Sequence, residues 1–258
     1  MALVTKRPFV DTLLDLKSDE DGVVLQNHIL EPEYHQDLYR LACENAKASS
    51  GAFQLGDTAR VQRAPNRGRQ PDYVDDETDP ETLKFQGMLD HYGHIVDGSQ
   101  TTNVCALKSV SVRWGYVDFG VARAVSKDFF DKHKDKCGVR KHDLLINSTG
   151  DGTIGRVAIY NKEFPALVDG HITIVRFKQP HYAWYAAAYL LSEQGQRQIY
   201  RYINGSSGQV EIYPQDISRL WIPAKTEPVV KEIAKKFQKA ISKYEEFEVE
   251  MTSMLAMA

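Results

Sequence analysis

Three glycines near the middle of the chain place the strongest constraint on its fold. Gly150, Gly152 and Gly155 have the G-x-G-x-x-G spacing of a dinucleotide-binding loop, and an apolar segment, residues 144–147, precedes them. In such a loop the third glycine opens a helix, because the pyrophosphate binds to the N–H groups at the helix N-terminus. Here residues 157–160 are mostly β-branched or aromatic, which indicates a second strand. The motif therefore predicts a turn between two strands, and we expect no nucleotide cofactor.

The composition is typical of a globular protein with its own core. The chain has 258 residues, of which 42% are hydrophobic and 26% are charged, and this is enough for one large domain or for a domain with an appendage. It contains no run of 18 apolar residues, so we expect no membrane span. Residues 1–10 lack the apolar segment of a secretory signal, and we expect a cytoplasmic protein.

The cysteine and histidine pattern does not predict a metal site or disulfides. Cys43, Cys105 and Cys137 are odd in number and lack the spacing of metal ligands, so we expect free thiols in a reducing compartment. His91 and His94 form the closest histidine pair, next to a Gly/Asp turn and without a neighbouring cysteine. We therefore expect no zinc there.

Positive charge is concentrated in one segment of a slightly acidic chain. The formal net charge is −3. Between residues 51 and 70 four arginines stand against a single acidic residue, Asp57; they are Arg60, Arg63, Arg67 and Arg69. Such a basic segment is a candidate for contacts with nucleic-acid phosphates. The acidic residues that follow, at 72–81, can pair with it within the chain or form a solvated loop.

The hydrophobic pattern predicts helices mixed with short strands. A helix is predicted from residue 31 to about residue 48, with Tyr34, Leu38 and Leu41 on one face. A longer helix is predicted from about residue 182 to residue 202. Candidate strands are residues 104–107, 110–114, 144–147, 157–160 and 171–177, with short extended segments at 211–212 and 220–222. This order predicts an α/β (α+β) fold with a mixed sheet.

The C-terminal segment has apolar residues at alternating spacings of three and four. The series comprises Val230, Ile233, Phe237, Ala240, Tyr244, Phe247, Met251 and Met254. Such a heptad pattern predicts a long coiled-coil helix that protrudes to pair with another helix. Its partner is the N-terminal helix, a second copy of the chain or another subunit. If this face joins two copies, replacing Phe237 and Tyr244 with aspartate prevents self-association. The alternative is a helix packed on its own globular domain.

Several segments together resemble a known family. Phe53-Gln-Leu-Gly-Asp-Thr-Ala-Arg-Val resembles the opening of a target recognition domain in the specificity subunits of type I restriction–modification systems. Lys141-His-Asp-Leu-Leu-Ile-Asn-Ser-Thr-Gly and Gly152-Thr-Ile-Gly-Arg-Val-Ala resemble its central strand–turn–strand, and Gly205-Ser-Ser-Gly-Gln with Ile222-Pro223 resembles its closing segment. The heptad helix is similar to the family's spacer helix. These pieces occur in the family's order and span about residues 30–257.

The resemblance implies a DNA-binding module without chemistry of its own. Residues 1–50 would form a lead-in with one helix, residues 51–224 a target recognition domain, and residues 225–258 a spacer or dimerisation helix. The implied partners are double-stranded DNA, the modification (methyltransferase) subunits and the restriction subunit. The family's long form has two recognition domains, so this sequence resembles a half-length subunit, one arm of a split subunit or a truncation. Two copies paired through the helix would recognise a symmetric interrupted site.

Polar side chains on the glycine-rich loops and in the basic segment are the candidates for DNA contacts. They are Arg60, Arg63, Arg67, Arg69, Gln70, Ser148, Thr149, Thr153, Arg156, Ser206, Ser207 and Gln209. Each group has a structural alternative. The glycines of the central motif can serve only to form a tight turn, and Gly205 can simply end the preceding helix. The basic segment can be a solvated loop.

No catalytic residue is predicted. A methyltransferase would need a cofactor motif and an Asn-Pro-Pro-Tyr-type tetrapeptide, and the sequence has neither. The acidic residues at 72–81 with Lys84 offer the residue types of a metal-dependent nuclease, but in a Pro/Asp loop rather than on strands. The second functional hypothesis is an interaction module that docks a partner through its heptad helix without recognising DNA.

Overall fold

The computed structural model describes residues 32–74, 103–205 and 210–257. In this part of the chain, helices and two sheets are stacked in layers, and the predicted α+β fold class with a mixed sheet is confirmed. Within the same ranges, no helix combines the length and the apolar character that crossing a membrane requires.

The first sheet has four antiparallel strands in the order β2-β9-β6-β7. They are β2 (Asn66–Arg67), β6 (Leu144–Asn147), β7 (Val157–Ile159) and β9 (Ile172–Val175). Every residue of β6, β7 and β9 is buried, which is the pattern of strands covered on both faces. The strands predicted from the apolar segments at 144–147, 157–160 and 171–177 are confirmed, with slightly different bounds.

The second sheet is mixed, in the order β4-β3-β8-β5. Its strands are β3 (Asn103–Leu107), β4 (Arg123–Ser126), β5 (Gly138–Val139) and β8 (Ala166–Val168). β3 runs parallel to β8, whereas the β3–β4 and β5–β8 pairs are antiparallel.

Alternation along the strands sends neighbouring side chains to different cores, because the side-chain period of a strand is two. Leu144 of β6 belongs to a core shared with helices, whereas Leu145 belongs to the core between the two sheets. In the second sheet, Leu107 faces this inter-sheet core, and Ala106 packs on the side of helix α2 (Lys127–Cys137). The order of layers is therefore helices, first sheet, second sheet and α2.

The N-terminal helix packs through small residues. A 3-10 turn, Pro32–His35, leads into α1 (Asp37–Lys47). The residues of α1 that are buried are Ala42, Cys43 and Ala46. Leu38 is 47% exposed and Leu41 is 45% exposed, so the predicted apolar face is wrong for both leucines. Small side chains allow α1 to approach helix α4 (Glu193–Arg201) closely, and the leucines lie off that contact.

The helix predicted over residues 182–202 is wrong, because two helices occupy this segment. α3 (Pro180–Leu190) ends before Ser192, whose hydroxyl oxygen accepts a hydrogen bond of 3.3 Å from the N–H of Gly195 and caps α4. A Cβ on Gly195 would lie 2.3 Å from the carbonyl oxygen of Tyr189. The junction therefore requires a glycine at this position.

Residues 109–118 form a turn and a hairpin instead of the strand predicted at 110–114. Ser109–Ser111 is a 3-10 turn, and Val112 pairs with Val117. Gly115 lies between them with φ 96°, a conformation that favours glycine and reverses the chain. The side chain of Trp114, next to it, is 53% exposed.

A short antiparallel strand pair leads into the C-terminal helix. β1 (Phe53–Gln54) pairs with β10 (Trp221–Ile222), which follows the short helix α5 (Pro214–Ser218). Helix α6 (Glu227–Met257) is 31 residues long, which corresponds to about 46 Å at 1.5 Å per residue.

The first part of α6 packs on its own domain, mainly on α3. Phe237 meets Trp184 edge-to-face, with ring centroids 5.5 Å apart, and Tyr244 lies against Tyr116 at 4.2 Å. Glu245 forms an ion pair of 3.1 Å with Lys162. The interpretation that this helix protrudes to pair with another helix is therefore wrong for its first part, where the alternative of packing on its own domain holds.

The packed face of α6 differs from the predicted heptad face by a rotation around the helix. Both include Val230, which is buried, together with the two aromatic residues at 237 and 244. The packed face continues through the buried Ala234 and Ile241, whereas Ala240 of the predicted series is exposed. Since residues 237 and 244 hold α6 on its own domain, aspartates there would disturb the fold rather than test a dimer interface.

A buried ion pair joins two strands of the first sheet and contacts the second sheet. Arg176 donates to both carboxylate oxygens of Asp143, at 2.8 and 2.6 Å, and to the carbonyl of Gly138 at 2.9 Å. The Asp143 carboxylate also accepts a hydrogen bond of 2.7 Å from the N–H of Arg140. Asp143 is 2% exposed and Arg176 is 8% exposed, so each charge depends on the other for compensation.

We expect Asp143→Ala to lower the free energy of unfolding by about 3–5 kcal/mol, because it leaves the buried Arg176 charge unpaired. Urea denaturation measures this loss. Glu163→Ala is the matched control, since it removes the carboxylate of the exposed pair with Lys141 and should cost less than about 1 kcal/mol. Similar losses in the two variants would contradict the role assigned to the buried pair.

Candidate nucleic-acid interface

Four segments that are distant in sequence meet at one end of the first sheet. β6 and β2 run toward this end and β9 and β7 run away from it, since neighbouring strands are antiparallel. The fourth segment is the loop after α4, where Asn204 and Glu211 exchange backbone hydrogen bonds of 2.7 and 2.8 Å and Glu211 pairs with Thr149. We call residues 67–70, 149–155, 169–171, 204–205 and 210–211 the turn surface.

The glycine motif forms the tight turn between β6 and β7, so the strand–turn–strand prediction is confirmed. The N–H of Gly155 donates to the carbonyl of Asn147 at 2.9 Å, and no helix follows the third glycine. Gly150, Gly152 and Gly155 have φ values of 89°, 78° and 82°, in the left-handed region that favours glycine. The three glycines therefore form the tight turn on which the structural alternative depends.

Two of the predicted contact residues stabilise this turn. The hydroxyl of Thr153 donates to the carbonyl of Thr149 at 3.0 Å, and Nη2 of Arg156 donates to the carbonyl of Gly152 at 2.8 Å. Ile154, between them, is buried. The turn is thus held on both sides by its own side chains.

Ser148 is enclosed in the sheet, so the prediction that it contacts DNA is wrong. Its side chain is 0% exposed and hydrogen-bonds to the carbonyl of Ile146 at 3.1 Å and to the hydroxyl of Thr173 at 2.5 Å. It is the last residue before the turn that keeps the buried pattern of β6.

A second turn, Asp169-Gly-His, lies beside the glycine turn. The buried carboxylate of Asp169 accepts hydrogen bonds from the N–H groups of His171, at 2.8 Å, and Ser109, at 3.2 Å. Burial raises the pKa of Asp169, and these hydrogen bonds oppose that shift. The exposed ring of His171 hydrogen-bonds to the hydroxyl of Thr149, which joins the two turns.

The predicted basic segment does not form one cluster. Arg60 lies at the opposite end of β9, where its carbonyl accepts a hydrogen bond of 2.9 Å from Lys178. Its guanidinium group lies over the rings of Phe53 and Tyr182, 5.1 and 4.5 Å from their centroids. Arg60 is therefore remote from the turn surface, which contradicts its prediction as part of one DNA-contact set.

Arg63 caps a helix. Its guanidinium group donates to the carbonyls of Asp135 and Lys136, the latter at 3.2 Å, at the C-terminal end of α2. Cations at this position compensate the free carbonyls and the helix dipole. Burial, followed by the nearby Arg176 guanidinium, lowers the pKa of Arg63. This arrangement gives Arg63 a structural role.

Arg67 connects β2 to the loop after α4. It forms an ion pair with Glu211 and donates to the carbonyl of Ile212 at 2.8 Å. Its guanidinium carbon lies 5.8 Å from the ring centroid of Tyr213, which is 40% exposed. The charge of Arg67 is therefore largely compensated within the chain.

Arg69 and Gln70 are the exposed members of the basic segment at the turn surface. The glycine before them, Gly68, fixes their position: a Cβ there would lie 2.2 Å from the carbonyl oxygen of Asp169. The guanidinium group of Arg69 lies 3.5 Å from Nε2 of His133, whose pKa is lowered by partial desolvation and by Arg69. Since His133 carries no negative charge in either protonation state, it does not neutralise Arg69.

Sequence reasoning missed four side chains near this surface: Asp151, His171, Tyr213 and Trp114. Asp151 lies inside the glycine motif, so its charge at the turn tip was visible in the sequence. The hairpin of Trp114 reaches the start of β7, where the N–H of Gly115 donates to the carbonyl of Val157 at 2.8 Å. No sequence signal distinguishes these exposed aromatic residues from core residues, because only the tertiary contacts leave them uncovered.

Some predictions fall outside the described ranges. They concern Ser206, Ser207 and Gln209 of the second loop, the pair His91 and His94, and most of the acidic segment at 72–81 with Lys84. Among the residues that the structure describes, no group of three or more histidine, cysteine, aspartate or glutamate side chains could hold a metal ion. The three cysteines are free and buried.

One solved structure with a similar fold is that of a restriction endonuclease. A type IIG restriction endonuclease, BpuSI, is similar over 84% of this chain and 30% of its own, with a TM-score of 0.52 and 13% sequence identity. This similarity shows a common fold for the aligned part. A scan of protein-family models and a search of curated proteins found no match for the sequence.

Two weaker similarities concern type I systems. A chain from a structure of type I R-M complex assembly and conformational transition gives a TM-score of 0.43 at 11% identity, with 97% of this chain and 57% of that chain covered. The HsdS subunit from Thermoanaerobacter tengcongensis gives 0.40 at 10% identity, with coverages of 91% and 49%. These scores are too low to establish a common fold. The chain spans 30%, 57% and 49% of the three matched chains.

We expect Gly155→Ala to destabilise the fold more than Gly152→Ala. Both residues have positive φ, which costs an L-residue about 1–2 kcal/mol. A Cβ on Gly155 would also lie 3.1 Å from Oε1 of Gln196 and 3.4 Å from Ile199, whereas a Cβ on Gly152 would meet nothing within 4 Å. Thermal unfolding of the two variants measures the difference, and a larger loss for Gly152→Ala would contradict this geometry.

Proposed function

We propose that this chain is the DNA-specificity component of a restriction–modification assembly and that it directs separate methyltransferase and restriction subunits to their site. The observation that carries the proposal is the meeting of the glycine turn, the Asp169–His171 turn, Arg69 and Gln70 on one surface. The fold shared with part of a type IIG restriction endonuclease supports it. Under this proposal the chain is cytoplasmic, carries no cofactor and catalyses nothing itself.

The chemistry of the turn surface suits double-stranded DNA. Arg69 supplies a charge for phosphates, and Gln70 can form two hydrogen bonds with the edge of an adenine. The hydrogen-bonded pair of Thr149 and the exposed His171 adds polar groups to the same surface. Thr149 follows the buried strand β6, and the tight contact of Gly68 with Asp169 fixes the start of the segment that carries Arg69 and Gln70. Base recognition requires such preorganised positions.

Arg69→Ala should weaken duplex binding and reduce its salt dependence, whereas Arg60→Ala should change neither. Each phosphate contact contributes about −0.9 to the slope of log K against log salt concentration, so we expect the slope to fall by about 1 when Arg69 is removed. Fluorescence anisotropy over a salt series measures both quantities.

Arg60 is a matched control, because it belongs to the same segment but lies at the far end of the sheet. Equal effects of the two variants would show that the turn surface is not the contact region. Absence of sequence-specific binding to a random duplex pool, with and without methyltransferase subunits, would overturn the proposal.

The end of α6 supports a partner role for this helix. Phe247 is 56%, Met251 36% and Met254 54% exposed, and all three belong to the predicted heptad series. The described side chains from Glu250 to the end of the helix are all exposed. We propose that this segment docks a helix of a second copy or of a methyltransferase subunit. Two copies would then recognise a bipartite, symmetric site.

We expect replacement of Phe247, Met251 and Met254 by serine to abolish self-association or binding of the methyltransferase subunit without unfolding the domain. The reason is that these side chains are apolar and exposed, so only an interface can gain from their burial. Sedimentation velocity measures the mass of the assembly. Replacement of the exposed Lys239 and Lys243 by serine is the control, and equal effects of both sets would argue against an apolar interface.

The second candidate function is a protein-interaction module that does not recognise DNA. The same exposed apolar end of α6 is the observation in its favour. A chain that binds its partner through Phe247, Met251 and Met254 but selects no DNA sequence in the assembled complex would support this candidate over the first.

A further inference from the structure

A carboxylate stands at the tip of the glycine turn. Asp151 lies between Gly150 and Gly152, and its side chain is exposed. In the part of the chain that the structure describes, Asp151 has no hydrogen-bond or ion-pair partner. An unpaired carboxylate is unfavourable wherever a surface approaches phosphates, because like charges repel. If this surface binds DNA, the Asp151 carboxylate is compensated only where it faces a hydrogen-bond donor of the DNA rather than a phosphate.

Hydrogen bonds of the neighbouring residues fix the backbone on both sides of Asp151. The N–H of Gly150 donates to the carbonyl of Val210 at 3.1 Å, and the N–H of Ile154 donates to the carbonyl of Gly150 at 3.0 Å. On the other side, Arg156 binds the carbonyl of Gly152. The tip is thus tied to the loop after α4 and to β7, so Asp151 is presented from a preorganised position.

The shape of the tip suits the major groove. At the end of the first sheet the glycine turn spans only the two neighbouring strands β6 and β7, which lie about 4.8 Å apart, and the major groove of B-DNA is about 12 Å wide. An ionised carboxylate only accepts hydrogen bonds. On the base edges of the major groove its partner is an exocyclic amino group, and aspartate pairs with N4 of cytosine. Phosphate oxygens offer no donor.

We propose that Asp151 accepts a hydrogen bond from the N4 amino group of a cytosine and thereby specifies one base pair of the target site. This inference rests on the proposed DNA-recognition function and names a residue that determines part of its specificity. The glycines on either side then have a functional consequence, since their positive φ values shape the turn on which Asp151 is exposed.

The test is selection from a random duplex pool with the full chain and with Asp151→Asn and Asp151→Ala, followed by sequencing. We expect the wild-type chain to prefer cytosine at one position by at least about fivefold. Both variants should lose this preference and keep the rest of the selected sequence. Asp128→Asn is the control, since it removes one exposed carboxylate from the first turn of α2, which is not part of the turn surface.

The outcomes separate the inference from the function on which it rests. An identical selected sequence for the wild type and both Asp151 variants overturns the inference and leaves DNA recognition standing. A uniform gain of affinity for all duplexes in the variants also overturns it, because that gain indicates a carboxylate facing phosphates. If the wild-type chain selects no sequence, the proposed function fails, and the inference fails with it. Thermal unfolding of each variant shows whether the fold is intact.

Discussion

Burial of strand β6 on both faces is the constraint on which the rest of the structure depends. Leu144 and Ile146 pack toward the helices, and Leu145 packs toward the second sheet. A register shift of one residue would exchange these two sets, so the pairing with β7 and β9 is strongly specified. The ion pair between Asp143 and Arg176 adds a directional contact to this apolar packing, since it joins the start of β6 to the end of β9.

This burial also decides where a ligand can bind. The faces of the first sheet are covered, so the sheet offers a macromolecule only its edges and its ends. At one end, three glycines with positive φ close the β6–β7 turn in few residues, and Gly68 brings the basic segment against the neighbouring turn. Buried Ser148 and exposed Asp151 are three residues apart, which shows how abruptly the chain changes from core to surface there.

The sequence predicts the buried strands well and the surface poorly, and the reason is physical. Apolar segments such as residues 144–146 are recognisable in the sequence, because burial on both faces favours apolar residues. The break between α3 and α4 is not visible in an alanine-rich pattern, because it depends on the contact of Gly195 with Tyr189. The arginines from 60 to 69 look alike in sequence, yet Arg63 caps a helix, Arg67 is paired with Glu211, and Arg69 is exposed. Only the tertiary partners distinguish them.

Helix α6 shows why one periodic pattern can support two contacts. Residues 230, 237 and 244 are shared by two adjacent apolar stripes on the helix surface. The domain packs against the stripe that also contains Ala234 and Ile241. Because α3 packs on both α6 and the first sheet, the helix is rigidly connected to the strands that carry the turn surface. Under the proposed function, a partner bound to Phe247 and Met254 would therefore be held at a fixed orientation relative to the DNA. A flexible tether would lose that geometry, and with it the fixed spacing between the two halves of a bipartite site.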